Sequence, residues 1–319
     1  MEEFNISDYQ KAPYLELDDY KAPEGINSYF INMDDGIKIR VCHWLQKKEK
    51  STGTILLQQG HNEFIEKYYE TIQEFISRGY SVICFDWRGQ GMSERMIDDI
   101  NKSFIIDFKR HDKDLEKILE EIIDPFFPKP LIGIGHSMGG CLMLSAFHNH
   151  PKKFDYGILS APMLGFKNEN FLRTASSLMN FFRKDTDYLI GSKPNMGIET
   201  PFEENDLTTD QKRYKRTQML VRKMPSIRLW GVTNSFAKAV NKRFKLIRSK
   251  NWAEQINLKI LIINSLKDRV VYSKKISEMS KRLKNSTIID FDNCEHEVFM
   301  EKDEYRNKFW QEFDNFIKK

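Results

Sequence analysis

No stretch of this 319-residue chain reaches the roughly 18 consecutive apolar residues that a membrane-spanning helix requires. Its start, MEEFNISDYQKAPY, is acidic and polar where a secretory signal has basic residues followed by an apolar run. Both absences point to a cytoplasmic protein. Cysteine is scarce. Cys42, Cys84, Cys141 and Cys294 stand far apart, without the paired spacing of a zinc site or a redox CxxC motif, so buried free thiols are expected and no metal. Repeats and low-complexity tracts are also lacking. The 40% hydrophobic content suits a globular protein with a sizeable core.

Acidic residues are missing from one region. Residues 211–250 hold 13 Lys and Arg and no Asp or Glu, which, against a total of +4, leaves −9 on the rest of the chain. A strongly basic segment therefore sits in an acidic body.

Elsewhere the sequence shows a regular alternation. "SYFINM" and "IKIRVCHWL" flank Asp34-Asp35-Gly36, which predicts an opening β-hairpin. "TILLQQ", "YYETIQEFISRG" and "YSVICFDW" then read as strand, helix and strand. Phe108, His111, Leu115, Ile118, Leu119 and Ile122 recur at three- and four-residue steps, a helix between about Phe104 and Ile123. The strand "LIGIG", an apolar helix after Ser137 and the strand "YGILSAP" follow. From about Met163 to Trp252 the alternation gives way to a mostly helical pattern, with "FLRTASSLMNFFRK" and "RYKRTQMLVRK" as amphipathic candidates. It resumes with "LKILIINS", "KKISEMSKRLKN", "STIIDF" and a closing helix "YRNKFWQEFDNFIKK". Strands alternating with helices imply a mostly parallel sheet with right-handed crossovers and helices on both faces. Residues 1–162 and 253–319 are expected to form this core, with 163–252 inserted as a helical unit.

Gly135-His136-Ser137-Met138-Gly139 fits G-x-S-x-G, where small residues permit the strained strand-to-helix turn that lifts a serine hydroxyl out of the sheet. The following helix N-terminus aims backbone N–H groups at any oxyanion formed there. The bland alternative is a glycine-rich turn with a capping serine. Of the seven histidines, His136 would point away across the turn, His148 and His150 lie a helix length from the hydroxyl, His43 belongs to the hairpin, and His111 reads as a satisfied core histidine. His296, in the loop after the last strand, sits at the carboxyl rim where open α/β sheets place their sites and is the expected base. Asp268, just after the preceding strand, supplies the acid that fixes the imidazole, in the chain order Ser, Asp, His. Asp290 and Asp292 lie on or beside the last strand, and Glu295 and Glu297 would point elsewhere. The oxyanion donors would be the backbone N–H groups of Met138 and His61, leaving the His61 side chain unconstrained.

Gln59-Gly60-His61-Asn62-Glu63 with Lys67-Tyr68, Asp86-Trp87-Arg88-Gly89-Gln90-Gly91-Met92-Ser93, Gly135 to Gly140, Ser160-Ala161-Pro162-Met163, Asp268-Arg269-Val270-Val271 and His296-Glu297 together resemble the monoacylglycerol lipase and lysophospholipase group of α/β-hydrolases. The similarity runs from about residue 25 to the C-terminus. It is nearest to the bacterial lysophospholipase L2 type, through Arg213-Tyr214-Lys215-Arg216 and Pro225-Ser226-Ile227-Arg228. The resemblance implies an α/β-hydrolase fold: a mostly parallel eight-stranded sheet with an N-terminal antiparallel hairpin and a helical cap after the sixth strand. It also implies serine hydrolysis of a glycerol-linked fatty-acyl ester, a lysophospholipid or monoacylglycerol, without cofactor. Gln59 departs from the pattern, which often has histidine there.

The basic cap reads either as solvated helix faces or as a surface for anionic membrane or for a lysophospholipid phosphate, with Arg213 and Arg216 as the expected phosphate contacts. "FLRTASSLMNFFRK" is either an apolar lip for a chain or core packing. Nucleic acid is set aside, since no recognition motif accompanies the charge, and no obligatory protein partner is evident. A non-catalytic lipid-binding protein, or a peptidase or acyltransferase on the same fold, are the competing readings.

Overall fold

The apolar runs after the hairpin become β4 (Gly53–Gln58), β5 (Tyr80–Phe85) and β7 (Leu131–His136), each buried along its whole length. Parallel strands covered on both faces read as continuous rather than alternating apolar sequence, which is why no period of two appears in them. The computed structural model describes residues 4–47, 51–167, 169, 184–192 and 200–318. Of the amphipathic candidate at 171–184, only Lys184 lies among these.

A nine-stranded sheet runs in the order β1-β2-β3-β5-β4-β7-β8-β10-β11, with β1 Gln10–Lys11, β2 Asn27–Asn32, β3 Lys38–Trp44, β8 Tyr156–Ser160, β10 Lys259–Ser265 and β11 Ser286–Phe291. The first three strands and the β3–β5 pair are antiparallel, and the remaining pairs are parallel. One strand exceeds the eight expected. Gln10–Lys11 pairs with β2 over only two residues, too short to leave any periodic trace in the sequence. A separate pair joins β6 (Lys102–Ser103) to β9 (Gly231–Val232), stitching the inserted segment to the body.

Among the described residues, helices form where the spacing placed them. Phe108–Ile118 starts at Asp107, whose carboxylate accepts from the Lys109 N–H, and buries Phe108, His111, Leu115 and Ile118. In the inserted segment, Gln211–Lys223 is capped by Asp210, which accepts from the Arg213 N–H at 2.8 Å, and stops at Met224-Pro225. Asn234–Ile247 is capped by Thr233. All four cysteines are free and buried.

Register fixes the site's location. Gln58 lies opposite Gly135, His136 opposite Ser160, and Ser265 opposite Phe291. The parallel strands therefore end at one rim, and the residues that follow them, His61, Ser137, Asp268 and His296, leave the sheet on the same side.

Candidate active site

Ser137 follows β7 with a positive φ of 52°, a conformation that L-residues avoid and that costs about 1–3 kcal/mol unless the surroundings enforce it. The two glycines make it possible. A Cβ on Gly135 would lie 2.6 Å from the Gly139 carbonyl oxygen, and one on Gly139 would run into the Gln58 and Gln59 carbonyls. The serine carbonyl accepts from the Met163 N–H at 2.8 Å, which pins the turn from the other side. The helix Ser137–Asn149 begins here, so the Met138 N–H is one of the first-turn donors without an intrahelical acceptor.

Asp268 is buried after β10. Its Oδ1 accepts from the Val270 and Val271 N–H groups at 2.7 and 2.9 Å, and its Oδ2 lies 2.6 Å from His296 Nδ1. Those bonds orient the imidazole so that its Nε2 is left for the cavity it shares with Ser137. In this conformation the serine hydroxyl and His296 face one cavity without a direct hydrogen bond, and catalytic bonds of this kind commonly tighten when substrate arrives.

Electrostatics separates His296 from the other buried histidines. Burial drives His61 down to about 4 and His43, His111 and His136 down to about 3, so all four are neutral at pH 7. Burial pulls His296 the same way, but the Asp268 charge and hydrogen bond outweigh it and lift the imidazole above its ordinary value of 6.5. His111 is a buried core histidine as expected, packed between Trp87 and Phe108. His136 also differs: its ring stays at the site, 4.7 Å from that of His296, with Nδ1 3.2 Å from the Ser160 carbonyl. The rival acid Asp290 accepts from Asn264 and has no bond to a histidine.

Around the turn after β4, the Gly60 N–H donates to Glu63 and the Asn62 N–H to Gln90, while the His61 N–H between them has no acceptor among the described residues. The His61 side chain is not indifferent. Its Nε2 is 2.7 Å from Ser103 Oγ on β6, and its ring packs 4.5 Å from that of Phe236. Gln59 turns its side chain away from the site, donating to the Phe85 carbonyl and to Asp86, and lines neither cavity at Ser137.

Arg213 and Arg216 do not offer free guanidinium groups. Arg213 lines the cavity but pairs with Glu70, Asp210 and Asp303 at 2.6–2.8 Å, and Arg216 pairs with Glu70 at 2.6 Å while stacking over Tyr20. Both fasten the inserted segment to the body, 143 and 146 residues away in sequence from Glu70. The sequence shows that they are basic, but not that acids from elsewhere in the chain meet them.

Two cavities meet at Ser137. The first, about 250 Å³, is the more polar of the two: hydrocarbon still makes up most of its lining, but it contains His296, Glu63, Lys67, Glu297 and Arg228. The second, about 210 Å³, is lined largely by hydrocarbon, including Met163, Phe166, Leu189, Phe236 and Val240. His61, Ser137 and Val270 border both. Sequence reasoning missed Glu63, Lys67 and Glu297 as a unit: Lys67 Nζ donates to both carboxylates at 2.6 Å, and Tyr68 donates to Glu63. Burial alone would raise Glu63, but Lys67 pulls it below the carboxylate range, whereas burial keeps Glu297 above it. Glu63, His136 and Glu297 bring ligand atoms within 4.8 Å of one another, the spacing of a metal site, but the Lys67 ammonium already holds both carboxylates.

Residues 49–303 match the Hydrolase_4 family model, described as serine aminopeptidase, S33. The chain belongs to this family. Over 296 residues it is 26% identical to a probable lysophospholipase L2 of Haemophilus influenzae, covering 92% of this chain and 93% of that one. It is 27% identical to lysophospholipase L2 of Escherichia coli K12 over 208 residues, 64% of this chain and 60% of that one. The fold is that of the α/β-hydrolases. A soluble variant of monoglyceride lipase from Saccharomyces cerevisiae superposes with a TM-score of 0.72 at 20% identity, over 96% of this chain and 99% of that one.

Proposed function

We propose that this α/β-hydrolase cleaves the fatty-acyl ester of a lysophospholipid or monoacylglycerol through an acyl-enzyme on Ser137. The observation that carries this reading is the position of Ser137 on the border between a hydrocarbon-lined cavity and one that holds a cluster of charged side chains. A substrate with one hydrocarbon chain and one polar end, joined by an ester, matches that division. The names of the lysophospholipase L2 relatives agree with it.

In this mechanism the Ser137 hydroxyl attacks the ester carbonyl as His296 Nε2 takes its proton. Asp268, fixed by two backbone donors, holds the imidazolium. The N–H groups of Met138 and His61 receive the oxyanion. His296 returns the proton to the departing glycerol oxygen, and water admitted to the same position hydrolyses the acyl-serine with the roles repeated. Residues 163–252 act as a cap, of which the helix Asn234–Ile247 borders the apolar cavity and Gln211–Lys223 the other. The exposed Lys and Arg of that segment suit peripheral contact with an anionic cytoplasmic membrane face. No described helix is long and apolar enough to cross a membrane.

The family description favours one second reading, an aminopeptidase. Such an enzyme needs a carboxylate for the substrate's free amine, and the two in the polar cavity are both engaged by Lys67. Fluorophosphonate labelling combined with a panel of lysophospholipids, monoacylglycerols and aminoacyl anilides decides between them. Labelling lost in Ser137→Ala and turnover confined to the lipids supports the ester reading. Turnover of the anilides alone would overturn it.

A further inference from the structure

Of the 13 basic residues in 211–250, Arg213, Arg216, Lys242, Arg243 and Arg248 are paired with carboxylates. Seven of the remaining eight are exposed to solvent, where an unpaired cation carries little penalty. Arg228 is the exception. It is only partly exposed and lines the polar cavity beside Ser137 and His296, yet makes no ion pair or side-chain hydrogen bond among the described residues. Its Nε is buried without an acceptor. A buried donor left unsatisfied costs free energy that a bound acceptor would recover.

The backbone beside this side chain is held in place. The next residue, Leu229, is clamped to Asn62 in both directions, with Leu229 N–H donating to Asn62 Oδ1 at 2.6 Å and Asn62 Nδ2 donating to the Leu229 carbonyl at 2.9 Å. Asn62 adjoins His61, so the backbone that carries Arg228 is tied to the loop after β4. Ile227 is buried on the other side. The nearest acids, Glu63 and Glu297, are taken by Lys67 and form no ion pair with Arg228.

We propose that Arg228 binds the phosphodiester of the substrate's head group, which makes the polar cavity a lysophospholipid head-group site. This rests on the reading of Ser137 as nucleophile. A guanidinium presents parallel donors that match two phosphate oxygens, and a charged acceptor compensates its desolvation better than glycerol hydroxyls do. The phosphate would sit beyond the scissile ester on the side away from the hydrocarbon cavity, as the order chain, ester, glycerol, phosphate requires.

The test compares wild type, Arg228→Gln and Arg228→Lys on 1-palmitoyl lysophosphatidylethanolamine and 1-palmitoylglycerol, which share the acyl chain. In Arg228→Gln the kcat/KM ratio of phospholipid to neutral lipid should fall roughly 10- to 100-fold, mostly through KM, with part of it recovered in Arg228→Lys. Equal losses on both lipids, or no change in the ratio, would overturn the assignment. Wild-type protein gives a second measurement that needs no variant. Glycerophosphoethanolamine should slow fluorophosphonate labelling at concentrations where glycerol does not, and equal effects would refute the proposal. Failure of wild type to label at all sinks the nucleophile reading and this proposal together, whereas labelling with an unmoved ratio sinks this proposal alone.

Discussion

On one side of Ser137, Phe236, Val240 and Met163 face the cavity as ordinary core residues on well-packed elements. On the other side, Glu63, Lys67 and Glu297 face it as charges buried in a small volume. The apolar wall is stabilised by hydrocarbon contacts that many residues of similar size would supply. The polar wall depends on individual partners, because each buried charge is tolerated only while a specific opposite group meets it. Specificity for chain length should therefore change gradually with substitution, while the head-group side should fail abruptly.

The largest expected effect falls on Ser137, which the two walls share, and on the acid that holds His296. Ser137→Ala should abolish turnover, and Asp268→Asn should lower kcat by about 10⁴ while leaving the fold intact, measured by steady-state kinetics with circular dichroism as control. If Asp268→Asn kept near-wild-type kcat, another acid would hold His296. Next in size is Lys67→Met, which strands Glu63 and Glu297 together. It should destabilise the protein by about 3–5 kcal/mol in urea unfolding, and a loss under 1 kcal/mol would show that the polar wall is no more fragile than the apolar one.

A smaller change should follow from filling the hydrocarbon side. Ala237→Trp, on the helix Asn234–Ile247, should lower kcat/KM for palmitoyl esters relative to acetyl esters by roughly 10–200-fold, and an unchanged ratio would place the chain elsewhere. The smallest effect is on pH. His296 must be neutral to act as base, and Asp268 holds its pKa above 6.5, so the acid limb of kcat/KM should lie above that value. In Asp268→Asn only burial remains to shift the imidazole, and the limb of the residual activity should move to lower pH. The sign for stability is opposite in use: a raised histidine pKa adds stability that is present below 6.5 and is lost as pH rises through the folded value.

Much of this site was legible before any tertiary contact was known. The G-x-S-x-G turn is legible as a local pattern, and the clash that demands Gly135 arises within five residues, although the one that demands Gly139 comes from the Gln58 and Gln59 carbonyls of the neighbouring strand end. Asp268 and His296 were legible because parallel strands bring successive carboxyl ends to one rim. The ninth strand was not, because two residues carry no period. Nor were the uses of the His61 side chain, whose partners Ser103 and Phe236 lie 42 and 175 positions away.

The sequence by itself determined the order of strands and helices, the strained serine and the concentration of basic charge, because each depends on neighbours along the chain. Only the tertiary structure decided which of those charges are neutralised. Arg213 and Arg228 are indistinguishable as letters, but Glu70, Asp210 and Asp303 surround the first, and no carboxylate among the described residues pairs with the second. Coulomb energy depends on distance in space, and for residues separated by a hundred or more positions only the fold sets that distance.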